Sequence, residues 1–301
     1  MTPNPRPRGR FAPSPTGDLH LGSLVAALGS WLLARWRGGD WLVRMEDLDP
    51  PREVPGAAER QIQALAAFGM TSDEPVLWQS RRGDAYADAL EGLVAAGLAF
   101  ECRCSRSDLA ASGGIHRTCV AGSGARPASI RLRVPERVVT FDDALQGRQA
   151  QSLATQVGDF VLRRADGPWA YQLAVVVDDA AQGITDIVRG ADLLDSTPRQ
   201  IFLQGQLGLP TPAYAHLPVL VDAEGQKLGK SLAAVPVDPD APRPALLAAW
   251  RFLGQAGRPF AGTGPVETAL GRALAEFQPH RIPRVAHAPV DAAVGGADAE
   301  T

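Results

Sequence analysis

Residues 8–22 read RGRFAPSPTGDLHLG. The order of strand and helix patterns that begins with this stretch decides the fold. The stretch opens with a short strand-like run and passes through a loop rich in Pro and Gly. Asp18 can cap a following helix over 19–36, which the pair Gly38-Gly39 ends. Residues 41–45, WLVRM, then have the apolar character of a buried strand. Strand, helix and strand in this order predict a parallel α/β sheet.

The rest of the chain continues this alternation with one interruption. The further predicted elements are helices at 56–68, 84–96, 197–207, 244–253 and 265–277, and strands at 171–177, 184–189 and 216–221. From about residue 100 to 167 the sequence is polar and rich in turn-forming residues, as is typical of an insertion. We therefore expect an α/β fold with a Rossmann-type, doubly wound parallel sheet, an insertion and a short C-terminal helical region. The predicted segments are 8–98 (first half of the sheet domain), 99–167 (insertion), 168–235 (second half), 236–285 (helical region) and 286–301 (flexible tail).

The composition is that of an ordinary globular chain. Of the 301 residues, 45% are hydrophobic and 21% charged, which excludes a disordered or fibrous protein. The net charge of −3 argues against a small basic module that coats nucleic acid. The uncharged run 21–34 is shorter than the roughly 20 residues that a membrane-spanning helix needs, and residues 1–10 lack the apolar core of a secretory signal. We expect a cytoplasmic monomer with no membrane partner.

Lysine is almost absent, which makes its position informative. The 30 basic residues include two lysines, Lys227 and Lys230, and this leaves 28 arginines. Both lysines lie in the segment 226–231, QKLGKS. A compact ammonium group can approach a phosphate as a point charge, which a planar guanidinium does less well. The segment is predicted to bind phosphate, with chance clustering as the alternative.

The three cysteines also cluster, at Cys102, Cys104 and Cys119, with His116 between the last two. An odd number of cysteines in one short segment argues against a disulfide framework. Three thiolates and one imidazole form a complete ligand set for tetrahedral zinc. We expect one structural Zn²⁺ per chain. The alternative is a set of reduced cysteines beside a surface histidine.

A third feature is the start of the first helix, His20-Leu21-Gly22. The chain contains no GxxxxGKS loop, and no GxGxxG follows the first strand, so phosphate must be bound by other parts. Backbone N–H groups at a helix start attract phosphate, His20 can donate to its oxygens, and Gly22 leaves room for an adenine ring. The loops 13–22, 46–49 and 227–231 each follow a predicted strand, so they can meet in one site.

Several segments in order resemble the glutamyl branch of the class I aminoacyl-tRNA synthetases. They are RFAPSPTGDLHLG at 10–22, RMEDLD at 44–49, YQLA at 171–174, VRGAD at 188–192 and KLGKS at 227–231. The resemblance covers roughly residues 8–255, with HLGS in place of the family's HIGH segment and KLGKS in place of KMSKS. It implies a catalytic domain that joins L-glutamate to ATP with Mg²⁺, forming glutamyl-adenylate and pyrophosphate, and then transfers glutamate to RNA.

The resemblance also implies roles for individual residues. Lys230 would neutralise phosphate charge in the transition state, assisted by Lys227, and His20 belongs to the same catalytic group. The ATP-binding residues would be His20, Gly22 and Lys230. Arg10 and Arg189 would bind the side-chain carboxylate of glutamate, while Glu46 and Tyr171 would hold its ammonium group. The full set of glutamate-binding residues implied by the motifs is Arg10, Ala12, Ser14, Glu46, Tyr171 and Arg189.

Three departures resemble a truncated group within this branch. The 70 residues after Ser231 leave no room for helical anticodon-binding domains. Val175 stands where the longer enzymes usually have Asn, and a Cys-x-Cys segment lies in the insertion. In the truncated group, glutamate is activated without tRNA and attached to the cyclopentenediol of queuosine at the wobble position of tRNA(Asp). That group usually holds zinc with three Cys and a Tyr, and His116 stands at or near the Tyr position. Gly229 replaces a usual Ser of the lysine loop.

Two other functions remain open from the sequence. A shortened synthetase could charge the 3′ end of tRNA(Glu), and a non-catalytic paralogue could bind RNA without chemistry. The short C-terminal region argues against the first. The retention of both lysines argues against the second.

Overall fold

The computed structural model describes residues 6–121, 126–222 and 236–289. The α-helices there are α1 (Leu21–Trp36), α2 (Ala57–Ala67), α3 (Gly83–Ala95), α4 (Leu153–Gln156), α5 (Tyr171–Ala181), α6 (Thr197–Leu207), α7 (Pro242–Phe252) and α8 (Val266–Glu276). The strands are β1 (Arg8–Phe11), β2 (Asp40–Met45), β3 (Leu77–Trp78), β4 (Ala99–Cys102), β5 (Ser129–Leu132), β6 (Val138–Asp143), β7 (Gly147–Ser152), β8 (Phe160–Arg163), β9 (Asp186–Gly190), β10 (Ala213–Leu217), β11 (Val219–Val221) and β12 (His287–Pro289).

The central sheet has seven strands in the order β3-β2-β1-β9-β10-β6-β7. All neighbouring pairs are parallel except β6 and β7, which form an antiparallel hairpin. From β1 the chain first builds outward through β2 and β3, and later returns to place β9 on the other side of β1. This reversal creates a crevice at the carboxyl ends of β1 and β9, where ligands bind in doubly wound sheets. The predicted Rossmann-type sheet is confirmed.

Helix α1 is the central packing element of the sheet. Leu24, Leu28 and Leu32 recur at every fourth position and are fully buried in the main hydrophobic core. Gly29 allows a close approach to β10, because a Cβ there would lie 2.6 Å from Leu217 Cδ1. The predicted cap at Asp18 is wrong. The helix begins at Leu21, so His20 is the capping residue, and Asp18 instead pairs with Arg60.

The predicted strand at 171–177 is also wrong, because these residues form most of α5. Helix α5 packs against α3, α6 and β8, and Leu173 and Val176 are at most 2% exposed. A helix buried on several faces shows no amphipathic period, and consecutive valines favour a strand when the sequence is considered alone. The helix carries Asp178 and Asp179 in its last turns, and both are buried.

The segment predicted as an insertion, 99–167, contributes to two different parts of the fold. Strands β4, β5 and β8 form a separate antiparallel sheet. Strands β6 and β7 instead extend the central sheet, since Tyr214 on β10 pairs with Asp143 on β6. The inserted segment therefore contributes to the central sheet as well as to the cysteine cluster.

The C-terminal region packs on the same side as α1. Helices α7 and α8 contact α1, and Trp250 is fully buried between Phe260 and Phe277. Strand β12 pairs in parallel with β11, so part of the predicted tail belongs to a two-stranded sheet. In the ranges that the model describes, no helix is both long enough and apolar enough to cross a membrane.

Candidate active site and metal centre

A cleft of about 590 Å³ opens at the carboxyl ends of β1 and β9. Its walls come from the β1–α1 loop, the first turns of α1 and the segments that follow β9 and β10. The residues that line it include Ser14, His20, Gly22, Gly190, Pro218 and Pro236. The cleft thus lies at the crevice that the strand order predicts.

The start of α1 faces this cleft. His20 Nδ1 accepts from the backbone N–H of Ser23 at 3.2 Å, and Ser23 Oγ lies 3.1 Å from His20 Nε2. A Cβ on Gly22 would lie 3.1 Å from the imidazole, so glycine lets the ring fold back over the helix start. Desolvation lowers the pKa of His20. The imidazole is therefore neutral at pH 7 and acts through hydrogen bonds, beside a helix terminus that favours anions.

Arg10, near the end of β1, is held by the buried carboxylate of Asp179. Its Nε donates to Asp179 Oδ1 at 2.9 Å, and Arg44 Nη1 donates to the same oxygen at 2.8 Å. Arg44 also donates to Gln182 Oε1 at 2.9 Å. Burial acts to raise the pKa of Asp179, but the charges of Arg10 and Arg44 outweigh it, so the pKa lies below its usual value. Asp179 is ionised and fixes both guanidinium groups.

Glu46 follows β2 and lies beside these arginines. Its backbone N–H donates to Pro13 O at 2.9 Å, which ties the end of β2 to the β1–α1 loop. Its Oε1 lies 3.4 Å from Arg44 Nη2. Burial raises the pKa of Glu46 even though Arg44 and Arg10 act to lower it. A cationic group bound at Glu46 would favour its charged form.

Arg189 and Tyr171 lie together, as the resemblance implies. Arg189 Nη1 donates to the Tyr171 hydroxyl at 3.2 Å, Nη2 to Thr197 Oγ1 at 2.9 Å and Nε to His216 Nε2 at 3.1 Å. Burial raises the pKa of Tyr171, and the charges of Arg189, Glu46 and Arg10 also act on its hydroxyl. The structure therefore places Arg10, Arg189, Glu46 and Tyr171 close enough for their charges to act on one another.

The remaining predicted site residues divide into two groups. Ser14 lines the cleft, and its carbonyl accepts from Gln61 Nε2 at 3.1 Å, while Ala12 is the partly buried residue after β1. Lys227 and Lys230 lie outside the described residues. Their roles remain predictions.

The metal-ligand set predicted from the cysteines is assembled in the structure. One ligand atom from each of the four residues lies within 4.8 Å of the others, the residues being Cys102, Cys104, His116 and Cys119. Cys102 Sγ lies 3.2 Å from His116 Nε2, and Cys119 Sγ lies 3.6 Å from it. Ligands about 2.0–2.3 Å from a tetrahedral zinc ion lie roughly 3.5–3.8 Å apart, so the residues fit such an ion. The cluster could hold a metal ion.

A fifth residue, Asp159, supports this cluster and was missed from the sequence. Its Oδ2 lies 2.9 Å from His116 Nδ1, and its Oδ1 accepts from the backbone N–H of Val134 at 2.7 Å. The carboxylate thereby orients the imidazole so that Nε2 faces the sulfur atoms. Asp159 stands 40 residues beyond the last cysteine, where no spacing rule would find it.

Two further sets of buried polar residues were missed. Asp178 accepts from the Tyr86 hydroxyl at 2.6 Å, from Gln79 Nε2 at 2.9 Å and from Arg82 Nε at 3.0 Å. The available signal was the acidic pair 178–179 at the end of an apolar run. The second set, Asp143 and His216, gave a weaker signal: a histidine that interrupts the apolar segment 213–221.

Comparison with known proteins agrees with this geometry. The model of the family described as "tRNA synthetases class I (E and Q), catalytic domain" matches residues 7–120 and 116–254. A solved glutamate tRNA ligase from Elizabethkingia meningosepticum, in complex with its amino acid, superposes with a TM-score of 0.78 at 26% identity, covering 96% of this chain and 68% of that one.

Curated relatives are more similar still. A protein of Xanthomonas campestris pv. campestris named glutamyl-Q tRNA(Asp) synthetase is 63% identical over 280 residues, which are 93% of this chain and 94% of that protein. A protein of the same name from Burkholderia cenocepacia is 60% identical over 279 residues, 88% of this chain and 93% of its own. The chain therefore belongs to the glutamyl-Q tRNA(Asp) synthetases and is a ligase of the aminoacyl-tRNA synthetase type.

Proposed function

We propose that the protein activates L-glutamate with ATP in the absence of tRNA, and then transfers the glutamate to the cyclopentenediol of queuosine at the wobble position of tRNA(Asp). The observation that carries the first step is the cluster of Arg10, Glu46, Tyr171 and Arg189, three of which lie at the carboxyl ends of β1, β2 and β9. These residues would bind an amino acid with two carboxylates, and the start of α1 would bind phosphate. The acceptor rests on the name that the curated relatives bear.

In the first step an oxygen of the glutamate α-carboxylate bonds to the α-phosphorus of ATP. The bond from that phosphorus to the bridging oxygen breaks, and pyrophosphate leaves. Mg²⁺ bound with ATP would neutralise part of the triphosphate charge. Arg10 and Arg189 would hold the side-chain carboxylate, and Glu46 and Tyr171 the ammonium group, so the α-carboxylate points toward the cleft. Catalysis then rests on positioning and on stabilisation of phosphate charge.

His20, Lys227 and Lys230 would supply that stabilisation, the imidazole as a neutral partner and the ammonium groups as charges. We expect Lys230→Ala to slow glutamate-dependent ATP–pyrophosphate exchange by about 10²–10³-fold. An unchanged thermal midpoint would show that the fold is retained. An exchange rate near that of the wild type would contradict the role assigned to Lys230.

In the second step a hydroxyl oxygen of the cyclopentenediol attacks the acyl carbon of the adenylate, and AMP leaves. The test is incorporation of labelled glutamate, with ATP and Mg²⁺, into two tRNA pools. One pool comes from cells able to make queuosine and the other from cells that cannot. Label in the queuosine-containing pool alone, on tRNA(Asp), is the expected result.

Label appearing equally in both pools would instead identify a shortened enzyme that charges the 3′ end of tRNA(Glu). An absence of both label and glutamate-dependent exchange would identify a non-catalytic RNA-binding paralogue.

We also propose that the ion held by Cys102, Cys104, His116 and Cys119 is a structural Zn²⁺, because all four tetrahedral positions are supplied by protein. Metal analysis should give one zinc per chain. Cys104→Ser should lose the metal and lower the thermal midpoint, whereas Thr118→Ala, a change at an exposed neighbour, should do neither. A metal-free protein of equal stability would contradict the proposal.

A further inference from the structure

Arg10 and Arg189, the two arginines proposed to bind glutamate, are held by partners of different charge. Arg10 donates to the carboxylate of Asp179. The partners of Arg189 are the imidazole of His216, two hydroxyl groups and, at 3.5 Å, the backbone carbonyl of Leu193. Within the described ranges no carboxylate forms an ion pair with Arg189, although the residue is only 6% exposed. Its positive charge is therefore not neutralised by those partners.

His216 can hold Arg189 only if its Nε2 carries a lone pair. The residue is fully buried on β10, and its Nδ1 lies 2.5 Å from Asp143 Oδ2. The other oxygen, Asp143 Oδ1, accepts three backbone N–H groups, from Leu145, Gln146 and His216 itself. These bonds keep Asp143 ionised and acceptor-only, so the ring proton resides on Nδ1. Nε2 is then the acceptor for Arg189 Nε.

The ring is also neutral. Burial lowers the pKa of His216, and the charge of Arg189 acts in the same direction, which outweighs the opposite effect of Asp143. A neutral acceptor fixes the direction of a guanidinium group without cancelling its charge. A buried charge that lacks a counter-charge is unfavourable until a ligand provides one.

We propose that the Asp143–His216 pair is a positioning device for Arg189, which holds the guanidinium with a neutral acceptor and so reserves its charge for the carboxylate at the end of the amino-acid side chain. His216 thereby favours glutamate over glutamine, because a neutral carboxamide would leave the charge unpaired. The inference rests on the proposed activation of glutamate.

Two substitutions of His216 separate the two ring nitrogens. In His216→Asn the amide can still donate to Asp143 but does not reach the position of Nε2. In His216→Gln the amide oxygen can take the place of Nε2. A third variant, Asp143→Asn, keeps the oxygen that accepts the three backbone N–H groups and places an NH₂ against Nδ1. The ring proton then moves to Nε2 and points at Arg189.

The measurements are the KM for glutamate and kcat in ATP–pyrophosphate exchange, the ratio of kcat/KM for glutamate to that for glutamine, the KM for ATP and the thermal midpoint. We expect His216→Asn and Asp143→Asn to raise the KM for glutamate about 10- to 100-fold and to lower the glutamate-to-glutamine ratio. The KM for ATP and the folded state should be retained. His216→Gln should restore a KM close to the wild-type value, and Asp142→Asn, at an exposed neighbour on β6, should match the wild type.

If the wild type is active and His216→Asn and His216→Gln have the same KM for glutamate, the inference is overturned. If all three variants show a lower thermal midpoint and a raised KM for both ATP and glutamate, the pair has a purely structural role. That result would also overturn the inference. A wild type without glutamate-dependent exchange would overturn the proposed function, and the inference with it.

Discussion

Two buried His–Asp pairs stand in different parts of the molecule, one beside Arg189 and one in the cysteine cluster. In each, the carboxylate faces ring Nδ1, at 2.5 Å in His216–Asp143 and at 2.9 Å in His116–Asp159. In each, Nε2 is left to face a cation site. His216 faces the guanidinium of Arg189, and His116 faces the place where three thiolates would bind a metal.

The difference lies in where the cation comes from. Arg189 is part of β9, so the first arrangement is complete once the sheet has formed. The second would be completed by an ion from solution, and the apolar cluster around it is small: Cys102, Cys104 and Leu109, with Phe100 and Ala121 at its margin. With so few apolar side chains, this region would draw much of its stability from the metal that we propose it binds. The same side-chain arrangement thus stands beside a large core, where we propose that it favours glutamate, and on a small one, where we propose that it supports metal-dependent folding.

The largest effect on stability is expected at Asp143, because its carboxylate has several buried hydrogen-bond partners. Asp143→Ala would leave three backbone N–H groups and His216 Nδ1 without an acceptor. We expect the free energy of unfolding to fall by about 3–5 kcal/mol, measured by urea denaturation. Asp142→Ala at the exposed neighbour should leave it unchanged. Equal stability of the two variants would show that the pair does not support the sheet.

A smaller effect is expected at the metal centre. In Asp159→Asn the oxygen that accepts from Val134 can remain, but the group facing His116 Nδ1 becomes a donor. Zinc affinity should fall about 10- to 100-fold, or about 1.4–2.7 kcal/mol, in competition with a chromophoric chelator. With zinc in excess, the KM for glutamate should stay at the wild-type value. A change in that KM would mean that the two regions are coupled.

The smallest effect concerns pH. The pKa of His216 is lowered in the folded protein, so the unfolded chain binds the proton more readily below about pH 6.5. The resulting loss of stability begins as the pH falls through that value and cannot exceed about 1.4 kcal/mol per pH unit. The lowered pKa of Asp143 acts only below about pH 4, outside this window.

At constant zinc concentration, the difference between the wild type and His216→Gln isolates this contribution, since His116 is present in both. Parallel urea-denaturation profiles from pH 7.5 to 5.5 would contradict a buried neutral His216.

Much of the fold followed from local signals in the sequence. Three short-range features mark the ends of elements: the turn after β1, the helix start at 20–22 and the glycines after Trp36. The structure confirms the strand, helix and strand that these features delimit. The run 171–177 was misjudged because burial on several faces removes the helical period and leaves only the strand preference of Val. The strands of the insertion were missed because β4, β5 and β8 are separated by irregular lengths of chain. No regular spacing in the sequence indicates that they pair.

The predictable part of the site was the set of residues that we propose to bind glutamate. Arg10, Glu46, Tyr171 and Arg189 lie in motifs, whereas the groups that orient them are dispersed. Asp143 meets His216 across 73 positions of sequence, and Asp179 meets Arg10 across 169. Such partners are brought together by the order of the strands and by the packing of helix α5 against the rest of the fold, which are properties of the whole chain. Only their burial in the fold distinguishes them from other acidic residues.

Because the hairpin of β6 and β7 is part of the central sheet, the inserted segment is not an independent unit of the fold. Asp143 belongs to the same stretch of chain as the cysteines, yet it serves β10 of the catalytic sheet. Excising residues 99–167 would remove Asp143, and with it the support of Arg189, which we propose to bind glutamate, as well as the four residues that could hold a metal ion. Replacing those four residues one by one would leave the support of Arg189 in place.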